Sequence, residues 1–393
     1  MSFLSGLTLL TLSQTVNILI LVSYILVILL LLGAILYYLP RPKSGDERIL
    51  ARVIFALSTV ASGVHTWYYM IKFLQFSYHN YLASHPPAFG TPSLLTIGSW
   101  LESTSLFDEA WRHVCSSPLN WWWSEHICLF TVPWCAFVYI EGVRHRIPHL
   151  WLYPLLGQLM AISTATSLFF LALFSSPVLD PPIPRPRLSA QVYLPLLAAV
   201  FPVLYTPNLS GDVFMPNLLL LHLLVLIPFL PLPKLFALLG LPDLLPPAEE
   251  GSTLAPSTLL ALLESLLFLI RSLTLLTLPP LGSWSALPSL LLQTLYAHPA
   301  QSSIGFDAVH VSLLLLLYSL LRRGSQPSKA GAYEALSALA GLIAVGPGVV
   351  APLVFSGGLR EKKNLKLVQK EVLKVEVAPR RTRSGRSYGD VKS

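Results

Sequence analysis

The chain is poor in charge for its length. Of its 393 residues only 11% are Asp, Glu, Lys or Arg, whereas 54% are hydrophobic. A soluble domain carries about 25% charged residues, so the surface of this protein cannot lie mostly in water. Much of the formal net charge of +7 lies near the C-terminus. A basic segment beside apolar runs favours contact with an anionic membrane surface over nucleic acid, for which the chain has no recognition motif.

Cysteine is also scarce. Cys115, Cys128 and Cys135 form no CxxC pair and have no spacing typical of a zinc site. Cys128 and Cys135 lie seven positions apart on one predicted helix, so they share a face but are too far apart for a disulfide. We therefore predict buried free thiols rather than a disulfide framework.

Several motifs of catalysis and cofactor binding are missing. The chain has no HExxH motif and no DDxxD motif that would hold Mg²⁺ and a diphosphate. It also has no nucleophile elbow, Walker loop or GxGxxG loop. The sequence thus predicts no metal and no cofactor. It argues against a prenyltransferase and against a terpene synthase that ionises a diphosphate.

Long apolar runs dominate the sequence instead. A helix needs about 20 apolar residues to cross the ~30 Å of a bilayer core, and most of the runs approach that length. We predict an all-α fold, a polytopic membrane helical bundle of about eight or nine transmembrane helices over residues 1–358. The predicted spans are 15–38, 53–76, 121–142, 149–176, 190–206, 214–240, 257–280, 305–321 and 331–358.

The sequence leaves the sidedness of the last third open. Lys and Arg in short loops place 39–52 and 143–148 in the cytoplasm, which puts the N-terminus in the lumen. Residues 359–393 are polar and basic and predict a disordered tail. Basic residues flank both ends of the last apolar run, and one crossing cannot place both ends in the cytoplasm. Either that run is a re-entrant hairpin, or residues 283–297 add a short helix.

Ionisable residues at membrane depth are candidate functional residues, because burying them is costly. Glu125 and His126 follow Trp121–Trp123 at the predicted lumenal end of the third span. These residues and the polar residues of the preceding loop can converge into one pocket with aromatic walls. The alternative is an interfacial tryptophan belt with solvated loop charges. The loop residues concerned are Glu102, Asp108, Glu109, Arg112 and His113.

Glu141 lies near the other end of the same predicted helix, about 24 Å from Glu125 along the helix axis. The two acids therefore cannot serve one small site. An ion pair with Arg144 at the membrane boundary explains Glu141 without any chemistry.

Asp307 and His310 are three positions apart and so share one helix face. Asp307 either caps the N-terminus of its own helix or is a carboxylic acid removed from water. If residues 283–297 cross the membrane, Asp307 moves to the lumenal side and can join the first cluster.

Acids among aromatic side chains in an apolar enclosure favour one kind of chemistry. A carboxylic acid kept neutral by its surroundings can donate a proton to a weakly basic oxygen or to an alkene. Aromatic faces stabilise the resulting carbocation, and the enclosure excludes water that would quench it.

Several stretches between about residues 100 and 310 carry a resemblance to a known family. They are Leu106-Phe-Asp-Glu-Ala-Trp, Trp121-Trp-Trp-Ser-Glu-His-Ile-Cys-Leu-Phe-Thr-Val, Ile140-Glu-Gly, Ile147-Pro-His-Leu-Trp, Leu155-Leu-Gly-Gln-Leu and Gln301-Ser-Ser-Ile-Gly-Phe-Asp. These stretches resemble a group of fungal integral-membrane proteins, the terpene cyclases of meroterpenoid pathways of the ascochlorin and ascofuranone type.

The resemblance implies an enzyme that opens the terminal epoxide of a farnesyl chain by protonation and cyclises it, without metal or cofactor. The substrate is a hydrophobic prenylated molecule, and the location is the endoplasmic reticulum membrane. The implied acids and bases are Asp108, Glu109, Glu125 and Asp307. The candidate substrate-binding residues are Tyr68, Glu102, Arg112, Trp122, Trp123, His126 and His310.

Two other interpretations compete with a cyclase. One is a transporter or carrier of a hydrophobic metabolite, in which the same acids relay protons. The other is a membrane scaffold without catalysis, in which the acids belong to the interfacial belt and to helix ends.

Overall fold

The structure, a computed structural model, describes residues 10–42, 46–85, 94–177, 183–231, 253–278, 284–322 and 329–357. Regular structure in these residues is helical, apart from an isolated antiparallel bridge between Leu188 and Leu254. The predicted all-α fold is confirmed. The predicted disordered tail, 359–393, lies outside the described residues.

The helices are, in chain order, α1 Leu12–Tyr37, α2 Ile49–Ser84, α3 Leu94–Ser103, α4 Leu106–Val114, α5 Pro118–Arg144, α6 Leu152–Leu159, α7 Ile162–Ser175, α8 Ala190–Ala198, α9 Val200–Tyr205, α10 Phe214–Leu226, α11 Pro256–Thr277, α12 Leu287–Ala297, α13 Pro299–Leu321, α14 Lys329–Ala344 and α15 Pro347–Gly357. Short 3₁₀ turns extend α9 to Asn208 and flank α10 within Gly211–Phe229.

Seven helical segments among the described residues are long and apolar enough to cross a membrane, namely α1, α2, α5, Ala190–Asn208, Gly211–Phe229, α11 and α13. The outer helices α1 and α2 carry many exposed Leu, Ile and Val side chains. In contrast, 89% of the most apolar stretch of α5 is buried, against 17% for α1. The protein is therefore a membrane protein in which α5 is central and α1 faces lipid.

The central helix begins at a strong local signal. Ser117 has extended backbone and its hydroxyl accepts a hydrogen bond from the backbone N–H of Asn120 at 3.2 Å. Pro118 follows as the first helical residue, where its missing N–H has no cost. Because the helix starts here, Glu125 lies two turns inside it rather than at its end.

The predicted span 149–176 is two helices rather than one. α6 ends at Leu159, and α7 begins at Ile162 after Ala161, whose backbone is extended. Backbone groups freed at such a break must find partners from neighbouring helices in a membrane. The hydroxyl of Tyr24 on α1 donates to the carbonyl of Leu159 at 2.5 Å, which supplies one of them.

The predicted span 331–358 is also divided. α14 and α15 are separated at Gly346, whose φ of +90° favours glycine. Within the region 283–297, Leu287–Ala297 forms α12, which is about 16 Å long and too short to cross a bilayer core by itself. The last apolar run is thus broken and a short helix precedes α13, whereas the sidedness of the last third stays a prediction.

Helix α13 starts earlier than the predicted 305. His298 is its N-cap, and the Nδ1 atom of His298 accepts a hydrogen bond from the backbone N–H of Ala300 at 3.2 Å. Asp307 therefore lies two turns inside α13 and does not cap its own helix. α13 packs against α2, α5 and α7, and α11 packs against α5. These contacts bring the late helices against the acids of the central helix and of α4.

Candidate functional site

A cavity of about 940 Å³ lies among α1, α2, α4, α5, α6 and α13. Its walls are mainly aliphatic and aromatic side chains. The aromatic residues are Tyr24, Trp67, Tyr69, Phe73, Phe107 and Trp111. Two carboxylic acids also line it, Asp108 from α4 and Asp307 from α13. The cavity is at the upper end of the size range of small-molecule sites and suits an apolar ligand.

Asp108 lies in the first turn of α4 and is paired with a cation. The Nε atom of Arg112, one helical turn later, donates to both carboxylate oxygens at 2.8 and 2.7 Å. An Nη atom of Arg112 also donates to the carbonyl of Gly211 at 3.0 Å. Because the pair is partly exposed, solvent screens it and its contribution to stability is small. Its main effect is to hold the carboxylate in a fixed orientation at the cavity wall.

Asp307 is held by the helix break. The hydroxyl of Ser163 donates to Oδ1 of Asp307, and the backbone N–H groups of Ile162 and Ser163 also hydrogen-bond the carboxyl group. These residues are the first turn of α7, where the helix dipole is positive. Asp307 thus accepts hydrogen bonds from free N–H groups at the N-terminus of α7, and it also lines the cavity. The sequence indicates Asp307 as a candidate cap of its own helix, α13. The structure shows that it caps α7 instead.

Glu125 and His126 do not line this cavity. They form a buried charged cluster with Arg271 of α11, whose guanidinium contacts the carboxylate of Glu125 and lies 3.1 Å from Nε2 of His126. The hydroxyl of Thr274 donates to the other oxygen of Glu125 at 2.6 Å. Trp122 lies under the guanidinium, with its ring centroid 4.8 Å from Cζ of Arg271.

Arg271 is the partner that the sequence interpretation missed. The sequence does contain one sign of this partner, a single arginine in the middle of the apolar run 257–280. A buried acid and a buried base in two membrane helices are expected to pair. The side chains of Glu125 and Arg271 are 0% and 2% exposed. This pair therefore fastens α11 to the centre of the bundle.

Gly346 packs directly against the same cluster. A Cβ atom at this position would lie 2.1 Å from Cε1 and 2.2 Å from Nδ1 of His126, and its φ is positive. We expect Gly346→Ala to destabilise the fold by about 1–3 kcal/mol, because neither backbone nor imidazole can move freely. The midpoint of heat denaturation of the detergent-purified protein measures this.

Gly33→Ala is the matched control for that substitution. No described atom lies within 4 Å of a Cβ built on Gly33, which sits in the lipid-facing helix α1. Alanine is favoured over glycine inside a helix by about 1 kcal/mol, so Gly33→Ala should leave the midpoint unchanged or raise it. Equal midpoints for Gly346→Ala and the unmodified protein would contradict the close packing.

The structure does not bring the acids of α3, α4 and α5 into one pocket. Glu109 follows Asp108, but successive residues on a helix point about 100° apart. The carboxylate of Glu109 accepts hydrogen bonds from the hydroxyls of Thr104 and Ser77 and lines a second, smaller cavity. Glu102 is exposed and lines neither cavity. The predicted acids thus lie in separate environments.

The other predicted binding residues lie outside the large cavity. Tyr68 is 52% exposed, and its neighbour Tyr69 lines the cavity instead. Nε1 of Trp123 donates to the carbonyl of Leu291 at 3.0 Å, which ties α5 to α12. Nε2 of His310 lies 3.1 Å from Nδ1 of His65 on α2. Trp123 and His310 therefore make contacts between helices and do not line the large cavity.

Two simpler predictions are confirmed. Arg144 donates to Glu141 at 2.9 Å, and Arg185 adds a second contact with the same carboxylate that the sequence did not indicate. Burial, together with the neighbouring arginines, lowers the pKa of His145 to about 4, despite its contact with Glu141. Cys128 and Cys135 are buried free thiols, whereas Cys115 is free but only partly buried, so the prediction of burial was wrong for Cys115.

The described part of the chain contains no group of three or more His, Cys, Asp or Glu side chains placed to hold a metal ion. The cavity therefore has to be interpreted from its two carboxylates and its aromatic walls.

No family model, curated protein or solved structure matches the chain. The sequence resemblance and the geometry of the cavity are thus the basis for any functional proposal.

Proposed function

We propose that this protein is a terpene cyclase of the endoplasmic reticulum membrane that acts on an epoxidised prenyl chain. One observation carries the proposal. Asp108 and Asp307, from distant parts of the sequence, line a single apolar cavity that has aromatic walls. The resemblance to fungal membrane cyclases of meroterpenoid pathways supplies the substrate class, an epoxidised farnesyl chain on an aromatic or polyketide head group.

The proposed reaction is an isomerisation. A carboxylic acid protonates the epoxide oxygen, the C–O bond to the more substituted carbon breaks, and the electrons of a neighbouring alkene attack that carbon. A carboxylate or bound water then removes a proton from the final cation, so the product has the mass of the substrate. No oxidant or reductant is consumed. The faces of Trp67, Tyr69 and Trp111 are available in the cavity to stabilise the cations.

The two acids are suited to different steps. Asp108 already pairs with Arg112, so its carboxylate serves better as a base or as a counter-charge than as a proton donor. Asp307 is anchored by Ser163 at the wall of the cavity, and none of its described partners is a cation. We therefore assign the proton donor to Asp307 and the stabilising carboxylate to Asp108.

A carrier of a hydrophobic metabolite is the second candidate, and the break between α6 and α7 favours it. Interrupted membrane helices whose ends face a binding site are typical of secondary transporters. In that case Asp307 would bind and release a proton as the substrate crosses. The substrate would leave the protein with its structure unchanged.

The test uses membranes that contain the full chain, incubated with a farnesyl phenol carrying a terminal epoxide, with EDTA present. The cyclase proposal expects a product of equal mass and different chromatographic retention, absent from membranes without the protein. Unchanged substrate that accumulates inside sealed vesicles would overturn it in favour of a carrier. Unchanged substrate without accumulation would contradict both functions for this ligand.

A further inference from the structure

A second cavity of about 430 Å³ adjoins the large one. The two cavities share Phe73 on α2 and Thr104 at the start of the α3–α4 connection as lining residues. Asp108 faces the large cavity, and the next residue, Glu109, faces the small one. The two spaces are therefore neighbours across a single wall rather than unrelated surface clefts.

The small cavity differs from the large one in polarity. Most of the residues that line it carry hydrogen-bonding side chains. The carboxylate of Glu109 is fixed by two hydroxyl donors, Thr104 and Ser77, the second at 3.3 Å. Ser77 itself accepts a hydrogen bond from Nε1 of Trp100 at 3.2 Å. The acceptor in this cavity is thus held in place before any ligand arrives.

Two histidine rings form another part of the wall. His113 and His298 are stacked, with their centroids 3.7 Å apart, and Phe76 contacts His298 edge-on at 4.5 Å. Nδ1 of His298 accepts the N–H of Ala300, so in the neutral ring Nε2 carries the proton and is a donor. Nε2 of His113 is buried and has no hydrogen-bond partner among the described residues.

Burial disfavours the charged form of both histidines. Burial lowers the pKa of His113, and burial together with the neighbouring His113 lowers the pKa of His298 to about 4. None of the residues that line the small cavity in the described part of the chain is a lysine or arginine. A carboxylate without any cation repels an anionic ligand. The chemistry of the wall therefore selects against a phosphate or diphosphate.

We infer that the small cavity binds the head group of an amphiphilic substrate whose apolar chain fills the large cavity. The head group is an uncharged ring that carries hydroxyl or carbonyl groups. Its hydroxyl donates to Glu109, its other polar atoms meet His113 and His298, and its plane lies against the stacked rings. A buried polar atom without a partner, such as Nε2 of His113, is satisfied when the ligand binds. The placement of the substrate's apolar chain in the large cavity rests on the proposed function. The selection against anionic head groups rests on the small cavity alone.

The experiment measures binding to the purified full chain in detergent, by quenching of tryptophan fluorescence. The three probes have the same farnesyl chain and differ in the head: a hydroquinone ring, the same ring with both hydroxyls methylated, and a diphosphate. We expect the hydroquinone probe to bind at least about 10-fold more tightly than the other two. Equal or tighter binding of the diphosphate would overturn the inference.

Variants assign the effect to the small cavity. Glu109→Gln should weaken binding of the hydroquinone probe about 10-fold and leave the dimethyl ether unchanged. The matched control is Glu47→Gln, an exposed acid before α2 that lines neither cavity. If Glu109→Gln does not yield a monodisperse protein, His113→Phe, which keeps a ring in the stack, tests the same subsite. An unchanged hydroquinone affinity in the folded variant would exclude the subsite.

The two proposals fail separately. Selective binding of the hydroquinone probe without formation of an isomer retains the head-group subsite and removes the cyclase. If the protein forms the isomer but binds the three probes equally, the cyclase proposal stands and the head-group subsite is excluded.

Discussion

Arg271→Met is expected to be the most destabilising single substitution in the bundle, by about 3–5 kcal/mol. It leaves the carboxylate of Glu125, which is fully buried, without its cation. Thr274 alone then donates to that carboxylate, and the ring of Trp122 loses the cation above it. The measurement is the midpoint of heat denaturation in detergent, followed as the loss of the monodisperse fraction in size-exclusion chromatography.

The double variant Glu125→Gln, Arg271→Met should recover most of that loss. A neutral amide at position 125 needs no counter-charge, and a buried ion pair often contributes little once both charges are removed. Arg187→Met is the matched control, because Arg187 is exposed and its hydrogen-bond partner among the described residues is Thr253. A midpoint for Arg271→Met equal to that of the control would show that the buried pair does not fasten α11 to α5.

Asp307→Asn is expected to lower turnover of the epoxide by about 10²- to 10⁴-fold, the usual contribution of a general acid. Asparagine keeps the size of the side chain and an oxygen that accepts the hydroxyl of Ser163. It cannot supply the proton that opens the epoxide. Binding of a non-reactive farnesyl probe should therefore stay within about 3-fold, while the rate of isomer formation falls.

Two further variants frame this prediction. Glu102→Gln makes the matching acid-to-amide change at an exposed residue that lines neither cavity, and it should leave the rate unchanged. Ser163→Ala removes one anchor of Asp307 and is expected to reduce the rate by about 10-fold. An Asp307→Asn protein that retains the full rate would remove Asp307 as the proton donor.

Much of the fold follows from patterns along the sequence. Apolar runs of membrane length, such as the one in α5, predict helices because the bilayer requires internal backbone hydrogen bonding. The break within 149–176 does not appear in that pattern. Residues 159–162 are apolar and contain no proline, so hydropathy gives no sign of the break. The break depends on tertiary partners, Tyr24 and Asp307, which only the folded chain supplies.

The candidate site was predictable only in part. Asp108 and Asp307 stand out because acids are rare in so apolar a chain, and both do line the cavity. The separation of Glu125 from them depends on which helix packs against each face of α5. That choice is set by Arg271, since a buried acid lies where its base can reach it. Sequence position along one helix does not contain this information.

The divided fourth crossing has a consequence for how the protein is made. α6 and α7 are about 12 and 21 Å long, so neither piece reaches across a bilayer core. The groups that complete the junction come from α1, which is synthesised early, and from α13, which is synthesised late. We expect the junction between α6 and α7 to reach its final packing only after α13 has left the ribosome. The wall of the cavity would then close at the end of synthesis, so a partly made chain would have no enclosed site.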